Sequence, residues 1–273
     1  MERMVIARVD GSALGRTAAH WAAREALRRR LPLRVAQVAP RGTHVAPRAA
    51  ATECGTDGAH TADCLVAELA ARHPLLTVRS IRLTGTAAPG LSALTALTAR
   101  AELLVLGLDG DAGARTRAEV AAASVCPVVL VPPPPAGSDR WTGRVVVAVD
   151  ARRPSAEALA FAFAAARRHR ARLHAVHAWT LPAHCAERPL PVLEADRATW
   201  EDQEVQLLSD ALRPWRERYP DVEVLADVRL LGRAEALGRS AEGARLVVVG
   251  RSQVAPAPRS VPADVPCPLA VVP

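Results

Sequence analysis

The chain has 273 residues, of which 50% are apolar and 23% are charged, so it carries enough apolar side chains for a packed core and is not a disordered protein. No apolar run approaches the roughly 20 residues that a membrane-spanning helix needs. The net charge of +7 suggests nucleic-acid binding, but the basic residues are scattered arginines with no lysine, and aromatic residues make up only 3%, which disfavours that class.

Three apolar segments occur twice, in the same order. The pairs are Val5–Asp10 with Val145–Asp150, Leu103–Gly107 with Leu246–Gly250, and Cys126–Pro132 with Cys267–Pro273, at offsets of 140, 143 and 141 residues. A repeat of this length is a whole domain and not a solenoid unit of roughly 20–50 residues. The repeat therefore predicts two domains, at residues 1–132 and 142–273, joined by a proline-rich linker over 133–141.

The first copy alternates predicted strands and helices. Its opening run is continuously apolar, as in a parallel strand buried on both faces, and Asp10-Gly11-Ser12 then supplies a turn and a helix cap. Ser12 is interpreted as that cap and not as a nucleophile, because we expect no histidine or carboxylate to activate it. The predicted elements are strands at Met4–Val9, Leu33–Ala39, Val78–Leu83, Leu103–Gly107 and Val128–Val131, a helix over Ala13–Arg30, and another helix before the fourth strand.

The second copy follows the same plan. Pro154-Ser155 is expected to open its first helix, with the proline in the first helical turn, where a proline is tolerated. Four apolar residues of that helix recur at helical spacing and predict one buried face: Leu159, Ala162, Phe163 and Ala166. The predicted elements are strands at Arg144–Val149, Leu173–Trp179, Val222–Leu231, Leu246–Gly250 and Leu269–Val272, with a longer helix over Asp196–Glu217.

This alternation of strands and helices predicts an α/β fold with a doubly wound parallel sheet in each domain. In such sheets, ligands bind beyond the carboxyl ends of the strands, near the switch in strand order. The residues at those ends are Asp10 and Asp150 after the first strands, Val38 and Ala178 in the second, and Gly107 and Gly250 at the fourth. These residues are the candidates for ligand contact, and the two aspartates are also candidates for capping the turns that follow them.

The N-terminus and the cysteines indicate a compartment and a packing role. Met1–Met4 leads directly into the first strand and leaves no room for a signal peptide, so we expect the cytoplasm. Without export, five cysteines do not predict a disulfide framework. Cys126 and Cys267 precede the last strand of each copy, and we expect them to be buried as small hydrophobic side chains. Trp21 and Phe163 are likewise predicted core residues.

Two histidines of the second copy, His174 and His177, resemble a metal-binding pair. His184 and Cys185 of the next loop would complete a set of zinc ligands with them. Residues three apart on a strand point to opposite faces, however. No metal site is therefore predicted.

An Asp that ends strand one, a Gly that ends strand four and a Cys-Pro that opens strand five, found twice in order, together resemble the universal stress protein family. The segment Gly232–Gly250 resembles it most. The resemblance implies two tandem domains of the adenine nucleotide alpha hydrolase-like type, each with a five-stranded parallel sheet and flanking helices. It also implies that the fifth strands pair within the chain, which makes the protein an intrachain pseudo-dimer.

The resemblance further implies where a nucleotide would bind. Family members that bind ATP carry a loop G-x2-G-x9-G-[S/T] after strand four, in which glycines let backbone N–H groups approach phosphates. Transferred to this chain, the implied nucleotide-contacting residues are Asp10, Val38, Gly107 and Gly110 in the first domain, and Asp150, Ala178 and Gly250 in the second.

Both phosphate loops depart from the family pattern. The first has Val120-Ala121 in place of the last glycine and its Ser/Thr, and Asp109 and Asp111 place carboxylates where phosphates would lie, which repels them unless a divalent cation intervenes. The second has Gln253 where the next glycine is expected, and the prolines that follow exclude a regular helix. We therefore predict that ATP binding is weakened in the first domain and lost in the second.

The resulting functional hypothesis is a non-catalytic stress-response protein that binds a protein or small-molecule partner, with self-association into a homodimer left open. No nucleophile–base pair, metal cluster or Walker lysine is recognised in the sequence. The first alternative is an ATP-binding universal stress protein that uses mainly the first domain. The second is an enzyme of a related nucleotide-binding fold, such as a nucleotidyl transferase or an electron-transfer flavoprotein subunit, whose signature motifs are not seen here.

Overall fold

The computed structural model of the chain describes residues 3–39, 62–84, 89–108, 119–134, 141–181, 194–254 and 265–273. The chain divides into two units, the first over residues 1–134 and the second over residues 135–272. Within the described ranges, none of the helices combines the length and the apolar character that crossing a bilayer requires.

The first unit is a parallel sheet with helices between its strands. The strands occur in the order β3-β2-β1-β4-β5, and each neighbouring pair is parallel. The order reverses between β1 and β4, which is the mark of a doubly wound sheet. The elements are β1 (Met4–Val9), α1 (Ala13–Arg29), β2 (Leu33–Ala39), α2 (Ala62–Arg72), β3 (Val78–Thr84), α3 (Pro89–Thr98), β4 (Ala101–Gly107) and β5 (Val128–Val131).

The second unit repeats this arrangement. Its strands occur in the order β8-β7-β6-β9-β10, again parallel, so the predicted α/β fold with doubly wound parallel sheets is confirmed. The pairing of the two fifth strands within one chain stays a prediction. The elements are β6 (Val145–Val149), α4 (Ala156–His169), β7 (Leu173–Trp179), α5 (Glu194–Arg218), β8 (Val224–Leu230), α6 (Arg233–Ala241), β9 (Leu246–Gly250), α7 (Arg251–Val254) and β10 (Leu269–Val272).

The core of each unit forms where the apolar strands meet the alanine-rich faces of the first helices, α1 and α4. All five residues of β9 are buried, as the pattern of a strand covered on both faces predicts. The predicted core residues Trp21 and Phe163 are 7% and 0% exposed. The Phe163 ring packs against the rings of Trp215 and Tyr219 of the α5 region, with centroids 6.1 and 5.6 Å away. This aromatic cluster anchors the long helix to α4, the helix that carries Phe163.

The first helix of each unit begins at a serine cap. The hydroxyl of Ser12 accepts a hydrogen bond from the Gly15 N–H at 3.0 Å, and that of Ser155 accepts one from the Ala158 N–H at 3.1 Å. Because Ser155 is the cap, Pro154 lies before it, and the prediction that this proline sits in the first helical turn is wrong. An oxygen acceptor at the cap decided where the helix begins, since it satisfies an otherwise unpaired N–H.

The two cysteines that precede the last strands are buried, as predicted. Cys126 is 5% and Cys267 1% exposed. Burial disfavours the thiolate and raises the pKa of both thiols to about 12. Each thiol therefore packs as a small apolar group at neutral pH.

Candidate functional site

The candidate residues of the first unit lie at one edge of its sheet. Strand β1 lies between β2 and β4, so Asp10, Val38 and Gly107 stand at the carboxyl ends of three adjacent strands. Gly110, the fourth candidate of this unit, lies outside the described residues, as do Asp109 and Asp111. The structure thus brings together three of the four residues that the sequence predicted for the first domain.

Asp10 caps the turn between β1 and α1. Its Oδ1 accepts hydrogen bonds from the backbone N–H of Ser12 at 3.0 Å and from the Ser12 hydroxyl at 2.6 Å. Partial burial favours the neutral acid, but the two Ser12 hydrogen bonds and the charge of Arg8 outweigh it and lower the pKa of Asp10. The expectation that no carboxylate lies beside Ser12 is wrong. An aspartate with a lowered pKa is nevertheless a weak base, and the bond holds the turn.

Gly107 is a glycine because the start of α1 lies against it. A Cβ built at residue 107 would stand 3.0 Å from both the carbonyl carbon and the oxygen of Leu14, and one at Gly15 would stand 2.8 Å from Asp10 Oδ1. Gly250 has the same place in the second unit, where the added Cβ would meet the Ser155 Cβ at 3.3 Å. These strand-end glycines therefore have a packing role that does not depend on any ligand.

The backbone N–H at the end of β9 already donates a hydrogen bond within the chain. The N–H of Gly250 donates to the side-chain Oε1 of Gln253 at 3.2 Å, and Gln253 stands where the family pattern has a glycine. The helix that follows, α7, has four residues, so one short turn forms before the prolines. Among the residues that the structure describes, this end of the sheet lacks the long helix whose N-terminus attracts phosphates in nucleotide-binding folds.

Asp150 of the second unit is held by two donors. Its Oδ1 accepts from the backbone N–H of Arg152 at 3.2 Å, which is the same turn-capping role that Asp10 has. Its Oδ2 accepts from the guanidinium of Arg233 at 2.9 Å, and Arg233 opens α6. Both carboxylate oxygens therefore have partners within the chain.

Close to Asp150 in the chain fold is a polar cluster that consists of the buried side chains of His177 and Glu204 and the exposed side chain of Arg152. The imidazole of His177 places Nδ1 3.0 Å from the carbonyl of Val149 and Nε2 2.9 Å from Glu204 Oε2. Arg152 donates to the other carboxylate oxygen of Glu204. His177 and Glu204 are 4% and 5% exposed. A carboxylate so deeply buried needs such partners, because an unpaired charge away from water is very costly.

The two histidines of β7 have separate partners. His174 Nε2 lies 2.9 Å from Asp227 Oδ2, on a different neighbour from the one that His177 uses. Burial, the largest effect, lowers the pKa of His174 although Asp227 opposes the shift. Over the described ranges, no group of three or more His, Cys, Asp or Glu side chains could hold a metal. His184 and Cys185, which the zinc hypothesis would need, lie outside those ranges.

A cavity of about 460 Å³ opens above this cluster, within the second unit. It lies at the carboxyl ends of β6, β7 and β8, where a doubly wound fold places its ligands. Ala178, one of the candidates, lies in its wall together with Thr180. The side chains that give the cavity its chemistry are those of Asp150, Arg152, Trp179, Trp200, Glu204 and Arg233.

The corresponding positions of the first unit carry different chemistry. Gln37, which occupies the position of His177, accepts a hydrogen bond from the Ala62 N–H at 3.3 Å, and the position of Trp179 is an alanine, Ala39. Among the described residues of the first unit, ionic contacts form elsewhere: Arg16 and His20 of α1 meet Glu68 of α2, and Arg29 of α1 meets Glu25 and Glu102. The repeat in sequence therefore does not extend to the site.

Comparisons with known proteins agree with this architecture. The model of the universal stress protein family matches residues 1–132 and 142–273. A universal stress protein of Mycobacterium tuberculosis is 30% identical, over 90% of this chain and 84% of its own length; one of Mycobacterium bovis is 32% identical, over 90% and 86%.

Among solved structures, the fold is similar to that of a universal stress protein from Archaeoglobus fulgidus, with a TM-score of 0.63 and 13% identity over 98% of this chain and 95% of the other. It is also similar to the cytoplasmic domain of a prokaryotic cation chloride cotransporter, with a TM-score of 0.56 and 12% identity over 99% and 95%. At such low identity these likenesses concern the fold alone. With both halves matched, the chain belongs to the universal stress protein family and carries two of its domains in tandem.

Proposed function

We propose that this chain is a cytoplasmic, non-catalytic stress-response protein that regulates by binding a small molecule or a protein partner. In this proposal its nucleotide-binding loops are degenerate, so that ATP binds weakly at the first domain and not at the second. Membership of the family supports the general role. The hydrogen bond from the Gly250 N–H to Gln253 carries the specific claim.

Phosphate binding in such folds relies on backbone N–H groups that converge on an anion near a helix N-terminus. In the second unit, the N–H of Gly250 is satisfied by Gln253 instead. Asp150, which would contact the nucleoside, is bound by Arg233. A nucleotide would have to break both contacts before it could make its own, and this supports loss of binding at the second domain.

The first unit supports weak binding for a different reason. Val120 and Ala121, which replace the last glycine and the Ser/Thr of the family loop, are buried in a helical turn over residues 119–123. Ser124 closes that turn, since its hydroxyl donates to the Val120 carbonyl at 2.6 Å. The backbone of this turn is already packed and hydrogen-bonded, so it does not offer the phosphates the flexible N–H donors that the glycine would supply.

The alternative in which the first domain binds ATP firmly is favoured by one observation. Asp10 is exposed to solvent and lies at the same sheet edge as Gly107, so the nucleoside end of the site is open. The two candidate functions differ in the number of ATP sites per chain and in their affinity.

Calorimetric titration of the full chain with Mg-ATP tests the proposal. We expect at most one weak site per chain, which Asp10→Ala removes. Asp63→Ala is the matched control, because Asp63 belongs to the same unit but forms an exposed pair with Arg82. Two ATP sites of micromolar affinity per chain, or sustained phosphate release that Asp10→Ala abolishes, would overturn the proposal.

A further inference from the structure

Both carboxylates in the cavity of the second unit already accept hydrogen bonds, whereas its charged donors are only partly used; the neutral polar residues Thr180 and Gln203 also lie in its wall. Both oxygens of Asp150 accept hydrogen bonds, from the Arg152 N–H and from Arg233. Both oxygens of Glu204 accept as well, from Arg152 and from His177. The two carboxylates are therefore poor partners for the hydroxyl groups of a sugar, which need acceptors as well as donors.

The donors are only partly used. A guanidinium has five N–H donors, and the side chains of Arg152 and Arg233 are 63% and 61% exposed while each contacts one carboxylate. Trp179 is 7% exposed, and its buried Nε1–H has no acceptor among the residues that the structure describes. A buried donor without a partner carries a desolvation penalty, which an acceptor on a ligand would remove.

The remaining walls are flat and apolar. Trp179 and Trp200 bring two indole rings to the cavity, and Leu231 adds an aliphatic surface. The volume of about 460 Å³ lies within the range of roughly 300–1,000 Å³ that is typical of small-molecule sites. Rings of this kind bind planar, apolar groups by stacking and burial.

We propose that this cavity binds a planar organic acid, in which an aromatic ring lies among the indoles and the carboxylate accepts from Arg233, Arg152 and the Trp179 Nε1–H. Arginine suits this role because its planar fork matches a carboxylate. The inference rests on the proposed function, since it names a ligand class for a site that has lost its nucleotide anchors. The first domain has Ala39, which has no side-chain donor, at the position of Trp179, so we expect one site per chain.

Calorimetric titration of the full chain with benzoate, 4-hydroxybenzoate and 2-naphthoate tests this ligand class. Each acid is compared with its neutral amide, which keeps the ring and removes the charge. We expect at least one acid to bind at one site per chain with a dissociation constant below about 1 mM, and its amide to bind at least about tenfold more weakly.

Two variants locate the binding in the cavity. Trp179→Phe removes the indole N–H and keeps a ring, and we expect it to weaken binding of the acid roughly 3–10-fold. Arg233→Gln removes the charged donor, and we expect about a tenfold loss. Arg239→Gln is the matched control, because Arg239 lies on the same helix but pairs with Glu235 at the surface; it should leave the affinity unchanged. A merely structural role of Trp179 would lower the urea midpoint while the dissociation constant stays the same.

The inference is overturned if none of the three acids binds below about 10 mM, if the amides bind as well as the acids, or if neither cavity variant weakens binding. Mg-ATP and AMP are titrated in the same series. Two tight ATP sites would refute the proposed function, whereas an absence of both ATP and acid binding would refute only the ligand class.

Discussion

The buried pair of His177 and Glu204 leads to the sharpest stability prediction. Glu204→Ala leaves the imidazole Nε2 without its partner at 2.9 Å in a place where both residues are at most 5% exposed. Leaving a buried polar group without its hydrogen-bond partner costs about 1–3 kcal/mol, because the desolvated imidazole N–H then has no acceptor. The Arg152 side chain adds little to this figure, since it is 63% exposed and can be solvated instead.

Urea denaturation followed by tryptophan fluorescence measures this effect in the second unit, which contains four of the five tryptophans. With an m-value of about 2 kcal/mol/M, the predicted loss lowers the midpoint by about 0.5–1.5 M. The control is Glu235→Ala, which removes an exposed pair with Arg239 and should shift stability by less than about 0.5 kcal/mol.

The double variant His177→Leu with Glu204→Met separates the cost of an unpaired polar group from the value of the pair. Replacing both partners of a buried hydrogen bond by apolar residues of similar shape can be nearly neutral, so we expect the double variant to recover most of the loss. The reasoning is refuted if Glu204→Ala moves the midpoint by less than about 0.3 M, or if the double variant is less stable than the single one.

Four further predictions concern packing and titration. Phe163→Ala, at a fully buried ring, should cost about 3–5 kcal/mol in urea denaturation, and a loss below about 1 kcal/mol would contradict the aromatic anchor. The Cβ added by Gly107→Ala would stand 3.0 Å from backbone atoms, whereas the one added by Gly250→Ala would stand 3.3 Å from a side chain. Thermal unfolding should therefore show the larger loss of stability, about 1–3 kcal/mol, for Gly107→Ala, and equal losses would contradict this. The pKa of His174 is lowered from 6.5 by burial, so the unfolded state binds its proton more readily, and the stability that this group contributes is present above pH 6.5 and is lost as the pH falls. His174→Gln should make the urea midpoint less sensitive to acidification between pH 7.5 and 5.5, and an unchanged sensitivity would contradict this. The buried thiols of Cys126 and Cys267 should react with iodoacetamide only in urea, and rapid labelling of either one in the native protein, located by peptide mass spectrometry, would contradict their burial.

The fold was predictable because its signals are local. Continuous apolar runs fixed the bounds of β1, β2 and β7 to the residue, since a strand covered on both faces admits few polar positions. The bounds of β3, β4 and β6 differ from the prediction by one or two residues, and those of the third strand of the second unit differ at both ends, predicted at Val222–Leu231 and found at Val224–Leu230. It lies at the edge of the sheet of its unit, and half-exposed residues mark its ends less clearly.

The site of the second unit was not predictable in the same way. Glu204 lies 27 residues beyond His177, on another element, and no local pattern states that α5 will bring its carboxylate to the end of β7. A carboxylate in a helix is ordinarily a solvated residue. The capping of the turn by Asp10 is different, because an aspartate two residues before a backbone N–H is a recognised turn signal; this role was predicted from the sequence, and the Ser12 N–H bond confirms it.

The residues that the two copies share and the residues that differ between them have different physical explanations. Both copies have an aspartate after the first strand, and in each copy it accepts a hydrogen bond from a backbone N–H of the turn. Both copies also have a glycine at the end of the fourth strand, against which the start of a helix packs. These residues are explained by the scaffold and are therefore weak indicators of a nucleotide.

The differences, by contrast, lie around the cavity. Where the first copy has Gln37 and Ala39, the second has His177 and Trp179, and these two residues add a buried histidine–carboxylate contact and a donor without an acceptor among the described residues. Packing alone does not require either, since the first unit builds the same sheet without them. The residues that depart from the repeat are thus the better guide to what this protein binds, and exchanging Trp179 tests that conclusion directly.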